Sequence, residues 1–156
     1  MKRIILLTAI LILLCSVSVK AQNSGFGIGI IAGEPSGLSL KSWISENTAI
    51  DGAIAYSFVD DGSIQGHVDY LIHNYSVFNV ASGKLPLYYG IGGRIKNKND
   101  DKNIATRLGA RVPVGICYQF AGIPMDVFLE LVPVVDVSPK TQFTFNGAVG
   151  IRYFIK

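Results

Sequence analysis

A histidine, an acid and a serine in the middle of the sequence have the chemistry of a hydrolase. His67 and Asp69 stand two positions apart, and residues at that spacing share one face of a β-strand. A histidine held by a carboxylate can act as a general base toward a nucleophile such as Ser57. No nucleophile motif surrounds Ser57, and spacing along strands does not establish a triad. We therefore predict no catalytic site.

Two other patterns resemble ligand sites but lack the required context. His67, His73 and Asp69 carry metal-ligating groups without a paired-ligand spacing. The stretch 27–32 (GIGIIA) matches the dinucleotide fingerprint, which needs a strand before it and a helix after it. Pro35 follows closely instead, so the alternating glycines suit a tightly curved strand. We predict no metal and no cofactor.

The segment 107–120 indicates what kind of element carries the polar residues. Its side chains alternate strictly, which is typical of a strand because successive side chains point to opposite faces of the sheet. The second face holds Arg107, Arg111, Pro113, Cys117 and small residues. That composition suits the narrow polar interior of a barrel whose other face meets lipid. The apolar face consists of Leu108, Ala110, Val112, Val114, Ile116, Tyr118 and Phe120.

Seven further segments are short and alternating, and no helical periodicity competes with them. Turn-forming residues separate the segments, which is typical of hairpin connections. An even number of strands joined in this way predicts an up-and-down antiparallel barrel, whose closure removes exposed sheet edges. The predicted strands are 26–32, 38–44, 49–58, 63–73, 85–96, 107–120, 125–135 and 142–155. The polar segment 97–103 is predicted to be a loop.

The inferred inner face collects charges of both signs. Such charges are costly in a narrow interior unless they are paired, so we expect an interlocked polar network. An eight-stranded barrel is just wide enough for its side chains, which predicts no open pore; a gated proton or small-ion path is the alternative. The predicted network consists of Lys41, Asp51, His67, Asp69, Arg94, Arg107, Arg111, Asp126, Glu130, Asn146 and Arg152.

The N-terminus predicts export. Lys2 and Arg3 precede an apolar run, and Val19 and Ala21 occupy the −3 and −1 positions of a cleavage site. We predict a signal peptide at 1–21 and one barrel domain at 22–156. A retained anchor is the alternative, although the run is shorter than the roughly 20 residues that span a bilayer.

Removal of that peptide changes the charge and the cysteine content. The formal net charge of +3 comes entirely from Lys2, Arg3 and Lys20, so the mature chain is balanced and no nucleic-acid partner is expected. Cys15 would also leave, so Cys117 has no disulfide partner within the chain. We interpret Cys117 as a small packed residue.

Three stretches carry a family resemblance: 33–41 (GEPSGLSLK), 85–92 (LPLYYGIG) and 126–130 (DVFLE). Together they resemble a family of small, mostly uncharacterised eight-stranded outer-membrane β-barrels, similar in design to the OmpA-like transmembrane domain. The resemblance covers essentially the whole mature chain. It implies a Gram-negative outer membrane as the location and no settled activity.

These observations predict an all-β protein, an eight-stranded antiparallel up-and-down transmembrane β-barrel. We expect a monomer with a structural or surface-interaction role. Its expected partners are outer-membrane lipid, the barrel-assembly machinery during biogenesis, and an extracellular host or matrix partner at segment 97–103. The alternatives are a secreted soluble lipocalin-like barrel that binds an apolar ligand and, less favoured, a lipid-modifying outer-membrane enzyme.

Overall fold

The structure, a computed structural model, describes residues 24–58, 62–100 and 103–155. The predicted signal peptide at 1–21 lies outside these residues. Within them the chain forms antiparallel strands and no helix long and apolar enough to cross a bilayer. The strands are β1 (Phe26–Gly33), β2 (Ser36–Trp43), β3 (Thr48–Ser57), β4 (Ser63–Asn74), β5 (Leu87–Asp100), β6 (Asn103–Arg111), β7 (Val114–Gln119), β8 (Met125–Ser138) and β9 (Gln142–Ile155).

The strands close into a ring. Strands β1 to β5 are paired in chain order, each with the next. At the other end of the chain β8 pairs with β9, and β9 pairs with β1, which closes the ring. Strands β6 and β7 occupy one position in the ring, because both pair with β5 on one side and with β8 on the other. The predicted eight-stranded antiparallel up-and-down barrel is therefore confirmed.

The predicted strand 107–120 is wrong in one respect, since it is interrupted at Val112 and Pro113. Proline has no backbone N–H to donate to a neighbouring strand. The surrounding bonds keep the register: Gly90 N donates to Pro113 O at 2.9 Å, and Val112 N donates to Pro133 O at 3.1 Å. The two halves therefore still act as one wall of the barrel.

The predicted loop 97–103 is also wrong, because most of it is a hairpin. Strand β5 continues to Asp100, β6 begins at Asn103, and these two residues are paired. Ser63 also pairs with Lys98, so β4 supports the extension from its other side. A polar composition does not stop a ladder whose backbone groups find partners on two neighbouring strands.

Side chains are distributed in the opposite sense to a soluble barrel. Large apolar residues point outward, with Ile54 64% exposed and Leu131 54% exposed. Charged residues point inward, with Arg152 only 1% exposed. Two small apolar clusters supplement the polar interior, and one of them, Trp43, Ala49 and Phe154, lies toward the end of the barrel that carries the N-terminus. The barrel therefore has a polar core and an apolar exterior.

Candidate functional site in the barrel interior

Alternation along the strands brings the charged side chains together. On β3 and β4, every second residue is buried, which places Asp51 and Asp69 on the inner face. The same rule on β8 places Asp126 and Glu130 inside, and on β9 it places Arg152 inside. The interior is therefore assembled by a period of two on each strand and by the register between strands.

Arg152 connects acidic residues on two other strands. Its Nε donates to Asp126 Oδ1 at 3.0 Å, and its Nη1 donates to Asp51 Oδ2 at 3.2 Å. The guanidinium also lies over the Phe128 ring, 4.0 Å from its centroid. A buried arginine with two carboxylates and an aromatic face has the partners that compensate its loss of hydration.

Arg111 makes a second set of ion pairs. Its Nε lies 2.9 Å from Asp69 Oδ2, and its Nη2 lies 3.6 Å from Glu130 Oε1. Tyr88 donates its hydroxyl proton to Glu130 Oε2 at 3.1 Å. Arg111 is 1% exposed, so the arginine-bearing face predicted for segment 107–120 does supply a cation to the interior.

Lys41 lies at the N-terminal side of this network. Its Nζ is 2.8 Å from His73 Nε2 and 3.9 Å from Asp126 Oδ2. His73 Nδ1 lies 3.3 Å from Asn47 O, so the imidazole that donates there accepts from the lysine at Nε2. The ammonium also lies 4.3 Å from the Trp43 ring centroid. A buried lysine is thus held by an acceptor, a carboxylate and an aromatic face.

The end of the barrel opposite the N-terminus, called here the loop end, has its own ion pair. Arg94 Nε and Nη2 donate to the two oxygens of Asp136 at 2.9 Å and 2.8 Å, a bidentate arrangement. The same Nη2 donates to Thr144 Oγ1 at 3.1 Å. Planar pairing of this kind fixes the geometry of both partners as well as contributing energy.

Glycines make room for two of these carboxylates. Gly92 pairs with Asp69, and a Cβ at position 92 would collide with Asp69 Oδ1. Gly109 pairs with Asp136, and a Cβ there would collide with Asp136 Oδ1. The small residues on the inner face are therefore complementary in volume to the charged residues opposite them.

No protein-family model matches this chain, and no curated protein matches it. Among solved structures, the crystal structure of the N-terminal β-barrel domain of Pseudomonas aeruginosa OprF matches with a TM-score of 0.67. That match covers 85% of this chain and 98% of the other at 13% sequence identity. The two share a fold. The likeness supports the OmpA-like barrel design and, at this identity, concerns the architecture alone.

Within this OprF-like barrel, the serine, histidine and acid considered from the sequence are not assembled as a triad. Ser57 accepts a hydrogen bond from Lys96 Nζ at 3.1 Å and donates to Glu34 Oε1. His67 Nε2 lies 3.9 Å from Asp69 Oδ2, and its Nδ1 has no hydrogen-bond partner in the described chain. Ser57 therefore forms hydrogen bonds with Lys96 and Glu34, and the pair of His67 and Asp69 suggested by the spacing is separate from it.

The other ligand patterns also differ from a site. Across residues 24–58, 62–100 and 103–155, no group of three His, Cys, Asp or Glu side chains is arranged to hold a metal ion. His73 is engaged by Lys41 rather than by His67 or Asp69. Cys117 is fully buried and its Sγ donates to Asp126 Oδ2 at 3.3 Å.

Ten of the eleven residues predicted for the network are buried. The exception is Arg107, which is half-buried and donates from Nη1 to Gln142 Oε1 at 3.1 Å. Asn146 is buried, and its Nδ2 has no hydrogen-bond partner among the described residues. The buried members are Lys41, Asp51, His67, Asp69, Arg94, Arg111, Asp126, Glu130, Asn146 and Arg152.

The predicted network left out several inward polar residues. Asp136 lies one position beyond the predicted end of its strand, so the partner of Arg94 was omitted. Lys96 has the parity of Arg94 on the same strand, and extending the alternation by one step would have found it. Tyr88 and His73 also have inward parity, but a tyrosine and a histidine at the ends of strands carry no charge signal.

Proposed function

We propose that the protein spans the outer membrane as a closed β-barrel with a structural role. The observation that carries this proposal is the inversion of the barrel, with apolar side chains outside and ion pairs inside. A protein in water does not leave a continuous belt of large apolar side chains exposed, because such patches drive association. In lipid, the same belt is the favourable surface.

Aromatic residues support a membrane position. Tyr118 and Phe120 form an edge-to-face pair with ring centroids 4.9 Å apart near one end of the barrel. Phe58 and Phe143 are 69% and 65% exposed near the other end. Rings at two levels on the outside of a barrel match the girdles at the two membrane interfaces. We place the N-terminal end in the periplasm, as expected for an exported chain.

The interior supports a structural role rather than a pore. Arg152 reaches across the lumen to Asp51 on β3, and Arg111 contacts acids on β4 and β8; both arginines are 1% exposed. Large buried side chains that are held by ion pairs to other strands leave the interior filled, as expected for an eight-stranded barrel. We therefore propose a rigid closed barrel with membrane lipid as its surroundings.

The soluble lipocalin-like alternative is not favoured. A barrel that binds an apolar ligand needs an apolar cavity inside and polar residues outside. Here the inner face holds Lys41, Arg94, Arg111 and Arg152, all buried, and the outer face is apolar. Both requirements of a lipocalin-like binder are reversed.

We also propose that the protein has no catalytic activity and acts as a monomer. The complete burial of Ser57 and its hydrogen bonds with Lys96 and Glu34 support the first statement, because its hydroxyl is not exposed to a substrate. The closed ring supports the second, because it leaves no unpaired edge for a partner. The barrel-assembly machinery would insert the chain, and segment 97–103 is where we propose that an extracellular partner would bind.

Cell fractionation followed by gel electrophoresis tests the proposed location. We expect the protein in the outer-membrane fraction, with faster migration when unheated than when boiled, because the closed barrel remains folded in cold detergent. A mature protein that is monodisperse in buffer without detergent would contradict the proposal. A water-soluble barrel that takes up an apolar ligand would establish the lipocalin-like alternative instead.

A further inference from the structure

The connections at the N-terminal end of the barrel are spread around its whole circumference. In the described chain, 44–47 follows β2, 75–86 follows β4 and 120–124 follows β7, and β9 meets β1 at the same end. Neighbouring strands are thus joined here at every second gap of the ring. These three segments, 44–47, 75–86 and 120–124, are called the rim connections.

Hydrogen bonds fasten each rim connection to an element beside it. Tyr118 donates its hydroxyl proton to Ser82 O at 3.0 Å, which ties the longest connection to the outer face of β7. The backbone bonds run from His73 N to Asn47 O at 2.7 Å, from Lys84 N to Gln119 O at 3.0 Å and from Phe154 N to Pro124 O at 2.7 Å. The fold therefore fixes the positions of the rim connections.

Each rim connection exposes a large apolar side chain. Ile44, Phe78 and Ile123 are exposed, one on each connection. Phe26 and Ile155 are exposed where β1 and β9 meet, at the remaining position of the ring. Large apolar side chains therefore recur all round this end of the barrel and are not confined to one side.

The rim connections carry little charge. Glu46 and Lys84 are the charged residues in their sequences, so the formal charges cancel. Apolar side chains at a membrane surface lie about 5–10 Å deep, at the boundary between headgroups and acyl chains. A rim with exposed apolar side chains and few charges suits that boundary, because few charged groups lose their hydration there.

We propose that this rim is seated in the periplasmic leaflet, with Ile44, Phe78 and Ile123 inserted at the boundary between headgroups and acyl chains. Lipid surrounds a barrel on all sides and so contacts a complete ring, whereas a protein partner buries one contiguous patch. Tyr118 and Phe120, the aromatic pair at this interface, adjoin connection 120–124, so the rim continues the lipid-facing surface. The proposal rests on the membrane location proposed above.

Single-tryptophan variants folded into phosphatidylcholine vesicles test the seating. In a Trp43→Phe background, one rim residue at a time is replaced: Ile44→Trp, Phe78→Trp or Ile123→Trp. Phosphatidylcholine brominated near the carboxyl ends of its acyl chains should quench each tryptophan by about half, because the bromine lies at the depth of the inserted side chains. Iodide in the buffer should quench them weakly.

Two control variants separate the rim from the rest of the barrel. Leu131→Trp lies in the middle of β8 and should be shielded from iodide if the barrel spans the membrane. Lys140→Trp lies on an exposed connection at the loop end and should be quenched by iodide and not by bromine. Heat-modifiable migration shows which variants are folded, and Val77→Trp, also at an exposed position, replaces Phe78→Trp if that variant does not fold.

Strong iodide quenching at the rim positions, with Leu131→Trp shielded, would overturn the proposal because the rim would then face the periplasm. Bromine quenching at fewer than all three rim positions would also overturn it, since one side alone would then contact lipid. So would equal bromine quenching of Lys140→Trp, which would make the introduced tryptophan responsible. Iodide access at Leu131→Trp would instead refute the membrane location itself.

Discussion

Arg152 and Asp51 are separated by 101 positions in the sequence, and their side chains form a hydrogen bond of 3.2 Å inside the barrel. The two residues are on β9 and β3, and these strands are not neighbours, because β1 and β2 lie between them in the ring. The contact therefore crosses the lumen instead of following the sheet. It links walls of the barrel that backbone hydrogen bonds do not join directly.

Replacement of Arg152 by methionine should destabilise the barrel strongly. Asp51 and Asp126 would stay buried after losing their shared cation, and removal of one partner from a buried ion pair costs about 3–5 kcal/mol. The free energy of unfolding can be measured by urea titration in lipid vesicles, with fluorescence of Trp43, the single tryptophan, as the signal.

Two further variants test the cause of that loss. Arg107→Met removes a half-buried guanidinium whose partner Gln142 is exposed, so it should change the free energy by less than about 1 kcal/mol. Asp51→Asn combined with Arg152→Met should recover part of the stability. A large effect of Arg107→Met, or no effect of Arg152→Met, would show that the crossing contact is not important for stability.

Neighbouring glycines on β5 should differ in how far the same substitution destabilises the barrel. Gly92→Ala would push a methyl group into Asp69 and separate it from Arg111, at an overpacking cost of about 1–3 kcal/mol. Gly93→Ala points outward into open space and should change stability by less than about 0.5 kcal/mol. Urea titration of both proteins checks this; equal effects would contradict the inward assignment of Gly92.

A positive charge on the outer wall should be costly only in the middle of the membrane. Leu131 lies near the centre of β8, so Leu131→Arg should destabilise the inserted barrel by about 2–4 kcal/mol. Val137 is near the loop end of the same strand, and Val137→Arg should cost about 0–1 kcal/mol. Folding into vesicles measures both, and a similar cost at the two positions would contradict a spanning strand.

The thiol of Cys117 should be protected while the barrel is folded. It is fully buried and donates to Asp126, and Cys117 is the single cysteine after residue 15. A maleimide reagent should leave the folded mature protein unlabelled and modify it fully in urea, as detected by mass spectrometry. Rapid labelling of a folded sample, verified by its migration on an unheated gel, would show that the lumen is accessible.

Much of the fold follows from local pattern. The eighth predicted strand, 142–155, has the same bounds as β9, and the alternation at 107–120 places Arg111 and Cys117 inside. A period of two needs only the local sequence, because each residue's face is fixed by its neighbours along the chain. The opposite compositions of the two faces then identify which one is turned inward.

The errors arose where nonlocal pairing decides the outcome. Strand β5 extends to Asp100 because β4 and β6 supply partners, although the segment is polar. Strand β8 continues to Ser138 because β6 and β9 supply partners for its backbone, and this extension brings Asp136 to Arg94. The break at Pro113 depends on a missing donor whose effect is set by the neighbouring strands.

The sequence alone determined where most of the strands lie and the polarity of their two faces, since alternation and composition are local properties. It also supplied nearly all the charged residues of the interior. Only the tertiary structure decided their partners: Arg152 with Asp51 and Asp126, Arg111 with Asp69 and Glu130, and Lys41 with His73. Those pairs depend on the register and curvature of the closed sheet, because long side chains reach across a lumen whose geometry no single strand contains.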